Sequence, residues 1–397
     1  MTSGNLPSFG SQFYGKPGYP SFPKYKYPPL QDYEHVDVAL KAEKEKSSIL
    51  AIPGVKFTDL EPAIGTEIEG IQLNQLNEQQ RRDLALLVAE RGVVFVKAQD
   101  ATADQLLDIG RFFGRLHIHP TSAQPVGYPE LHVVYNDPES TLKARAALEN
   151  PRAHRYGWHS DVTYERQPPT YTLFKVDVIP EVGGSTVWAS QVKAFETLSP
   201  QFQKIVEGLT AVHSAVEQAV ASADKGGPVR REPILTEHPV VRSHPVTGKK
   251  ALFVNPGFTR YIVGLKPEES DTILNFLYDH IQDGIEFQVR YRWETNTVAI
   301  WDNRQTVHTA NYDYILFGEG PQYRNAFRVT PQGEHPYLEG AKLARAVVTR
   351  PKEASHERGG LFKKITTVTT LKTTETGAGG AVVQKFVKTT NVQFTPV

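Results

Sequence analysis

The chain has 397 residues, 44 Lys plus Arg against 44 Asp plus Glu, and no cysteine. Balanced charge provides no global field that would draw it to nucleic acid or an anionic membrane, so a charged ligand must be met locally. Without cysteine there are no disulfides, thiolate ligands or cysteine nucleophile, and a metal would have to be held by His, Asp or Glu. No run approaches the roughly 18 apolar residues of a membrane helix, and the N-terminus lacks the charged start and apolar core of a leader. The expectation is a cytoplasmic protein.

Residues 1–48 mix Gly, Pro, Tyr, Phe and Lys without period, which reads as an irregular arm lying on a surface or a partner. Order returns at Gly54. Asn77 with Gln80 makes a capping-box pattern ahead of Leu84, Leu87 and Val88 at helical spacing, and Gly92 ends that helix. The run 93–96 reads as a buried strand. Thr102 with Gln105 opens a second helix that carries Leu106, Ile109 and Phe113 on one face and stops near Gly114.

From about 130 to 330, short β-prone runs alternate with Gly, Pro, Asn and Asp. Strands are expected over 131–135, 171–178, 185–189, 251–255, 287–293 and 297–301. Pro267 in a first turn, followed by Ile273, Leu274 and Leu277, marks a helix inserted among them. Helices followed by many strands give a mixed α+β class, with a jelly-roll or barrel core and flanking helices over residues 49–335. Beyond it, residues 336–397 form a basic, Thr-rich extension. Its part from 341 carries ten Lys or Arg against three Glu, with β-prone runs on either side of Gly377, Gly379 and Gly380, the pattern of a hairpin.

Trp158-His159-Ser160-Asp161 places two ligand-type side chains two residues apart, on one face if the backbone is extended. Two His and one carboxylate would leave three adjacent positions open on iron(II). Alone, His-X-Asp says little, because most such tripeptides are surface or capping residues. The distal stretch from Trp301 to His308 is followed by Arg324 and Arg328, four residues apart and therefore on one face of either a helix or a strand. Guanidinium groups suit the paired hydrogen bonds of a carboxylate or sulfonate. Two arginines alone would be read as surface residues in salt bridges.

The stretches FGRLHIHP, GWHSDVTYERQPP, GGSTVWAS, HPVVRSHPVTGKKALFVNPGFT, FQVRYRW and AIWDNRQTVHTANYDY follow one another in this order. In them the chain resembles, over about residues 54–332, the taurine dioxygenase (TauD/TfdA) family of Fe(II)/2-oxoglutarate-dependent oxygenases, including fungal sulfonate dioxygenases. The resemblance implies a double-stranded β-helix (jelly-roll) core and Fe(II) on His159, Asp161 and His308. It also implies 2-oxoglutarate held at its distal carboxylate by Thr186 and Arg324, and O2 as oxidant. Arg328 matches the position that binds the substrate's sulfonate, and His119 and Phe258 match residues lining the taurine pocket. The family's pocket tyrosine falls at Ser122, and its asparagine four residues before the first ligand falls at Arg155. That second departure argues against taurine itself as the preferred substrate. Gln218 and Ala219 lie near further pocket positions.

The added basic stretch with Lys143, Arg145, Arg152, His154 and Arg155 reads either as a lid over an anionic substrate or as a solvated loop. His117, His132, His213, His238, His244 and His280 read as structural. The function expected from the resemblance is oxidation of a small anionic substrate, an organosulfur acid, with release of succinate and CO2. The same cofactors acting on an amino acid or other carboxylate are the alternative. A non-catalytic jelly-roll binding protein is a third reading, against which the intact His159, Asp161, His308 and Arg324 stand. The sequence leaves a homo-oligomer open.

Overall fold

Val93-Val94-Phe95-Val96 presents apolar side chains on both faces of one strand, so it needs cover on both sides. A computed structural model provides it. The model describes residues 19–136, 157–318 and 323–340 in full, and the backbone of 362–376 and 382–396.

The strands in chain order are β1 (Lys56–Asp59), β2 (Thr66–Glu69), β3 (Val93–Val96), β4 (His132–Asn136), β5 (Tyr171–Val178) and β6 (Thr186–Ser190). They continue as β7 (Thr210–Ser214), β8 (Leu235–Pro239), β9 (Val241–Ser243), β10 (Lys250–Leu252) and β11 (Thr259–Ile262). The set closes with β12 (Gln288–Tyr291), β13 (Val298–Asp302), β14 (Thr306–Ala310), β15 (Arg324–Val329), β16 (Phe362–Thr376) and β17 (Val382–Pro396). Among the described residues a seven-stranded sheet runs β1-β2-β3-β13-β5-β15-β4, and a three-stranded sheet runs β12-β6-β14. Only β2 and β3 pair in parallel within the large sheet.

Period-two alternation sorts the side chains of the large sheet. Phe95, Phe174, Val176, Ala299, Trp301 and Ala326 point to one face and pack with Trp188, Val289 and Tyr291 of the small sheet. Their sequence neighbours Val94, Val96, Leu173, Ile300 and Phe327 take the other face. There they meet helices α1 (Glu78–Arg91) and α2 (Ala103–Phe113). Both helices start at the capping boxes read from sequence: Asn77 accepts from the Gln80 amide, Thr102 from the Gln105 amide, and each glutamine returns a bond. The outer face of the small sheet, with Ala189 and Val307, packs against α3 (Gln191–Glu196) and α4 (Pro267–Asp283). The result is a mixed α and β molecule in which two sheets face one another.

Most expected strands form within one or two residues of the positions read from sequence. The run expected over 251–255 forms only the shorter β10, and β1, β2, β7, β8, β9, β11, β14 and β15 are strands that the sequence reading does not single out. In the extension, β16 and β17 pair antiparallel over their whole length, and the expected turn around Gly377, Gly379 and Gly380 lies outside the described residues. No helix among the described residues is long and apolar enough to cross a membrane.

The described part of the N-terminal arm is pinned to the sheets. Its Ser21 bridges Gln124, the Tyr19 hydroxyl donates to Asn325, and Asp37 is buried. Asp37 Oδ2 lies 2.5 Å from Arg304 Nη1 and accepts from the Tyr171 hydroxyl at 3.0 Å. Arg304 is also held by Asp302, which pairs in turn with His244 at 2.9 Å. Removing one member of a buried ion pair leaves the other charge uncompensated, at a cost of roughly 3–5 kcal/mol. Asp37→Ala should fall at the lower end of that range because Asp302 still faces Arg304. A denaturant unfolding curve checks this; an unchanged midpoint would mean the Asp37–Arg304 pair contributes nothing to stability.

Candidate active site

His308 lies on β14, and the segment after Gly157 runs antiparallel beside it. His159 N–H donates to the His308 carbonyl at 3.0 Å, and His308 N–H donates to the His159 carbonyl at 2.8 Å. A reciprocal pair of this kind puts both side chains on one face. The two imidazole centres are accordingly 4.3 Å apart. A Cβ on Gly257 would come within 3.0 Å of the His159 Cβ, so glycine is what lets that loop lie against His159.

Asp161 reaches the same point by different means. Its N–H donates to Asn303 Oδ1 at 3.1 Å, and its Oδ2 accepts from the Thr172 hydroxyl at 2.7 Å. Asn303 also donates to the Thr172 hydroxyl at 2.8 Å and accepts from the Trp301 indole, so its amide orientation is determined. His308 is braced by the Trp301 ring, 4.8 Å centre to centre. Ligand-type atoms of His159, Asp161 and His308 all lie within 4.8 Å of one another.

The electrostatics suit a divalent cation. Burial pushes both imidazoles below their ordinary range, so they are neutral and each keeps a lone pair. Burial would raise the Asp161 carboxyl, but the Arg328 cation, helped by the Thr172 hydroxyl, outweighs it and holds the group well below the usual carboxylate range. Two neutral imidazoles and one carboxylate, bordering open space, match the donor set of a facial metal site. Arg328 Nη1 pairs with Asp161 Oδ1 at the edge of this set.

The space they border is a cavity of about 270 Å³ between the two sheets. Thr186 and Arg324 line it. Arg324 is buried at the start of β15, its Nε has no partner among the described residues, and its guanidinium carbon lies 5.9 Å from the Phe174 ring centre. Thr186 Oγ1 accepts from the Trp293 indole at 3.0 Å, which leaves its hydroxyl hydrogen free to donate. A buried cation with an orphaned donor and a free hydroxyl fit one end of a dicarboxylate such as 2-oxoglutarate.

Arg328 lines the cavity on the same strand, and β-strand spacing puts it on the same face as Arg324. His119 and Ser122 border it too. His119 Nδ1 accepts from the backbone N–H groups of Thr121 and Ser122, both at 3.2 Å, and from the Ser122 hydroxyl at 2.9 Å. An Nδ1 that accepts from backbone amides cannot carry a proton, so the ring hydrogen is on Nε2. Phe258 closes one wall, edge-on to His159, and Gln218 lines the cavity while accepting from the Tyr164 hydroxyl at 2.9 Å. Arg155 and the basic stretch 143–155 lie outside the described residues.

The histidines expected to be structural do, with one exception, have structural partners. His117 pairs with Glu165, His213 with Thr163, His238 with the Glu165 carbonyl, His244 with Asp302 and His280 with the Ala194 carbonyl. His132 departs from the expectation, because it lines the cavity. The sequence reading also passes over Asn303 and Thr172. Asn303 sits within the WDNRQ stretch, and Thr172 is a polar residue inside an otherwise apolar strand, which is the signal that could have found it.

Residues 56–330 match the family described as taurine catabolism dioxygenase TauD, TfdA family. The chain belongs to that family. It is thus a 2-oxoglutarate-dependent oxidoreductase. Among its relatives is an alpha-ketoglutarate-dependent sulfonate dioxygenase of Saccharomyces cerevisiae, 42% identical over 332 residues, covering 81% of this chain and 79% of that protein. An alkylsulfatase of Acinetobacter baylyi is 32% identical over 74% of this chain and 90% of its own. A crystal structure of a taurine dioxygenase from Burkholderia xenovorans superposes with a TM-score of 0.61 at 31% identity, covering 72% of this chain and 92% of that one. This TauD-family member takes a small-molecule substrate.

Proposed function

We propose that this TauD-family enzyme binds iron(II) at His159, Asp161 and His308, holds 2-oxoglutarate with Arg324 and Thr186, and oxidises an organosulfur acid anchored by Arg328. The observation that carries this reading is that two buried arginines project from one strand into the cavity that the three ligand residues border. A single acid would need only one of them. When loaded, such a centre supplies O2-driven decarboxylation of 2-oxoglutarate to succinate and CO2, coupled to oxidation of a nearby C–H bond.

The protein's part is position and dryness. Arg324 and the Thr186 hydroxyl bind the distal carboxylate, which orients the keto acid toward the histidines. Arg328 and His119 Nε2–H bind the substrate's acid group, and the Trp188, Trp301 and Phe258 rings keep water away. Hydroxylation at the carbon that bears a sulfonate yields an adduct that collapses to an aldehyde and sulfite; with a sulfate ester the products are an aldehyde and sulfate. The sulfonate and alkyl sulfate chemistry named for the two relatives above supports this class of substrate.

The two sheets that pack face to face through Trp188, Phe95 and Trp301 support the further reading of a double-stranded β-helix core. We divide the chain as an arm to residue 48, an oxygenase domain over 49–335 and a basic extension thereafter.

Supplying a panel of alkyl sulfonates, alkyl sulfates and amino acids, and measuring succinate together with sulfite or sulfate, tests the substrate class. In Arg328→Ala the substrate acid loses its cationic partner in a dry pocket, so affinity should fall by roughly 2–5 kcal/mol. Succinate should persist only as slow turnover uncoupled from product, with iron and 2-oxoglutarate binding retained. Unchanged affinity and coupling would remove Arg328 as the anion anchor.

A further inference from the structure

The pairing that carries Arg328 into the cavity also carries an imidazole to which the reading above gives no work. His132 on β4 stands directly opposite Arg328 in the β4–β15 register. Its ring lines the cavity beside His119, with centres 4.8 Å apart and planes at 50°. The other histidines read as structural have the partners given above, whereas His132 Nδ1 is buried with none among the described residues. An apolar side chain would fill a purely structural position without leaving a polar atom unsatisfied.

We propose that His132 is a specificity-determining residue, whose Nε2–H is a third donor beside His119 Nε2–H and the Arg328 guanidinium, so that the subsite favours a three-oxygen –SO3 head over a two-oxygen carboxylate. This rests on the assignment of Arg328 as anion anchor made above. The tautomer follows from the surroundings. An orphaned N–H inside a protein is rarer than an under-satisfied acceptor, so the proton belongs on Nε2 and not on the buried, partnerless Nδ1. Burial, and then the neighbouring Arg328 cation, keep the ring from taking a second proton. One guanidinium and two neutral imidazoles match a head group with a single negative charge spread over three oxygens. A planar carboxylate can satisfy only part of that set. The head could be carried on carbon, as in a sulfonate, or on oxygen, as in a sulfate ester.

The test uses the full chain loaded under argon with Fe(II) and 2-oxoglutarate, titrated with 1-propanesulfonate, propyl sulfate or butanoate while the visible charge-transfer band is followed. His132→Gln sets an amide N–H about where Nε2–H stood, and His132→Asn sets it near Nδ1. The Asn variant should bind the sulfonate or the sulfate ester roughly tenfold or more weakly, with butanoate much less affected, and the Gln variant should retain most of the affinity. An Asn variant that binds as the unmodified protein does, or that loses all three anions equally, overturns the inference. Should the Asn variant not fold, imidazole ¹⁵N spectra of the unmodified Zn(II)-loaded protein decide. A protonated Nε2 whose signal shifts with the –SO3 ligand and not with butanoate supports it, and an Nδ1–H tautomer overturns it. If the unmodified protein binds butanoate and neither –SO3 compound, the substrate class proposed above falls as well. Binding of an –SO3 compound that is insensitive to His132 removes only this inference.

Discussion

Asp161→Ala is expected to lose iron binding and to reduce coupled turnover to background. The carboxylate is the one anionic group in the three-residue set, and His159 and His308 are neutral because burial depresses them. Removing it takes away a ligand and the charge that balances a divalent cation. Truncation has a second consequence in this protein. Arg328, buried and paired with Asp161, would be left facing two imidazoles with no counter-charge. That leaves a loss of roughly 3–5 kcal/mol in the stability of the metal-free protein. Equilibrium dialysis against Fe(II), succinate release and a thermal midpoint read the three effects. Stoichiometric iron in the variant would sink the assignment of the metal site, and an unchanged midpoint would mean the Arg328 contact is not energetically significant.

Arg324→Leu is expected to raise the 2-oxoglutarate requirement steeply while leaving iron affinity as it was. The guanidinium is buried, its Nε has no partner among the described residues, and Phe174 and Trp293 wall the same space. The distal carboxylate of the co-substrate would therefore be desolvated on entry and left with only the Thr186 hydroxyl. A broken buried charged pair is worth roughly 2–5 kcal/mol, which corresponds to about 30-fold to several-thousand-fold in affinity. Loss of a neutral hydroxyl bond costs only about 1 kcal/mol, so Thr186→Val should have a far smaller effect than Arg324→Leu. Anaerobic titration of each iron-loaded variant with 2-oxoglutarate measures the difference. Equal effects of the two substitutions would move the main anchor away from Arg324.

The local chemistry of this protein was legible in one dimension. Both capping boxes, the apolar run of β3, and the spacing of His159 with Asp161 and of Arg324 with Arg328 depend on residues two to four positions apart, where helical or strand periodicity fixes relative direction. His308 and the roles around it came from resemblance over long stretches, since no periodicity links residues so far apart in the chain. Tertiary structure alone decided what bonds across such distances. The reciprocal backbone bonds between residues 159 and 308 put the two imidazoles on one face, and Asn303 and Thr172 aim the Asp161 carboxylate. Asp37 belongs to an arm whose composition shows no core pattern, yet its carboxylate is buried against Arg304. His132 reads in sequence as one more β-strand histidine, and it faces the cavity because β4 pairs with β15 in the register that sets it opposite Arg328. A strand's own residues determine that it has two faces; which face meets the cavity is set by its partners, because a shift of one residue in register exchanges the two faces.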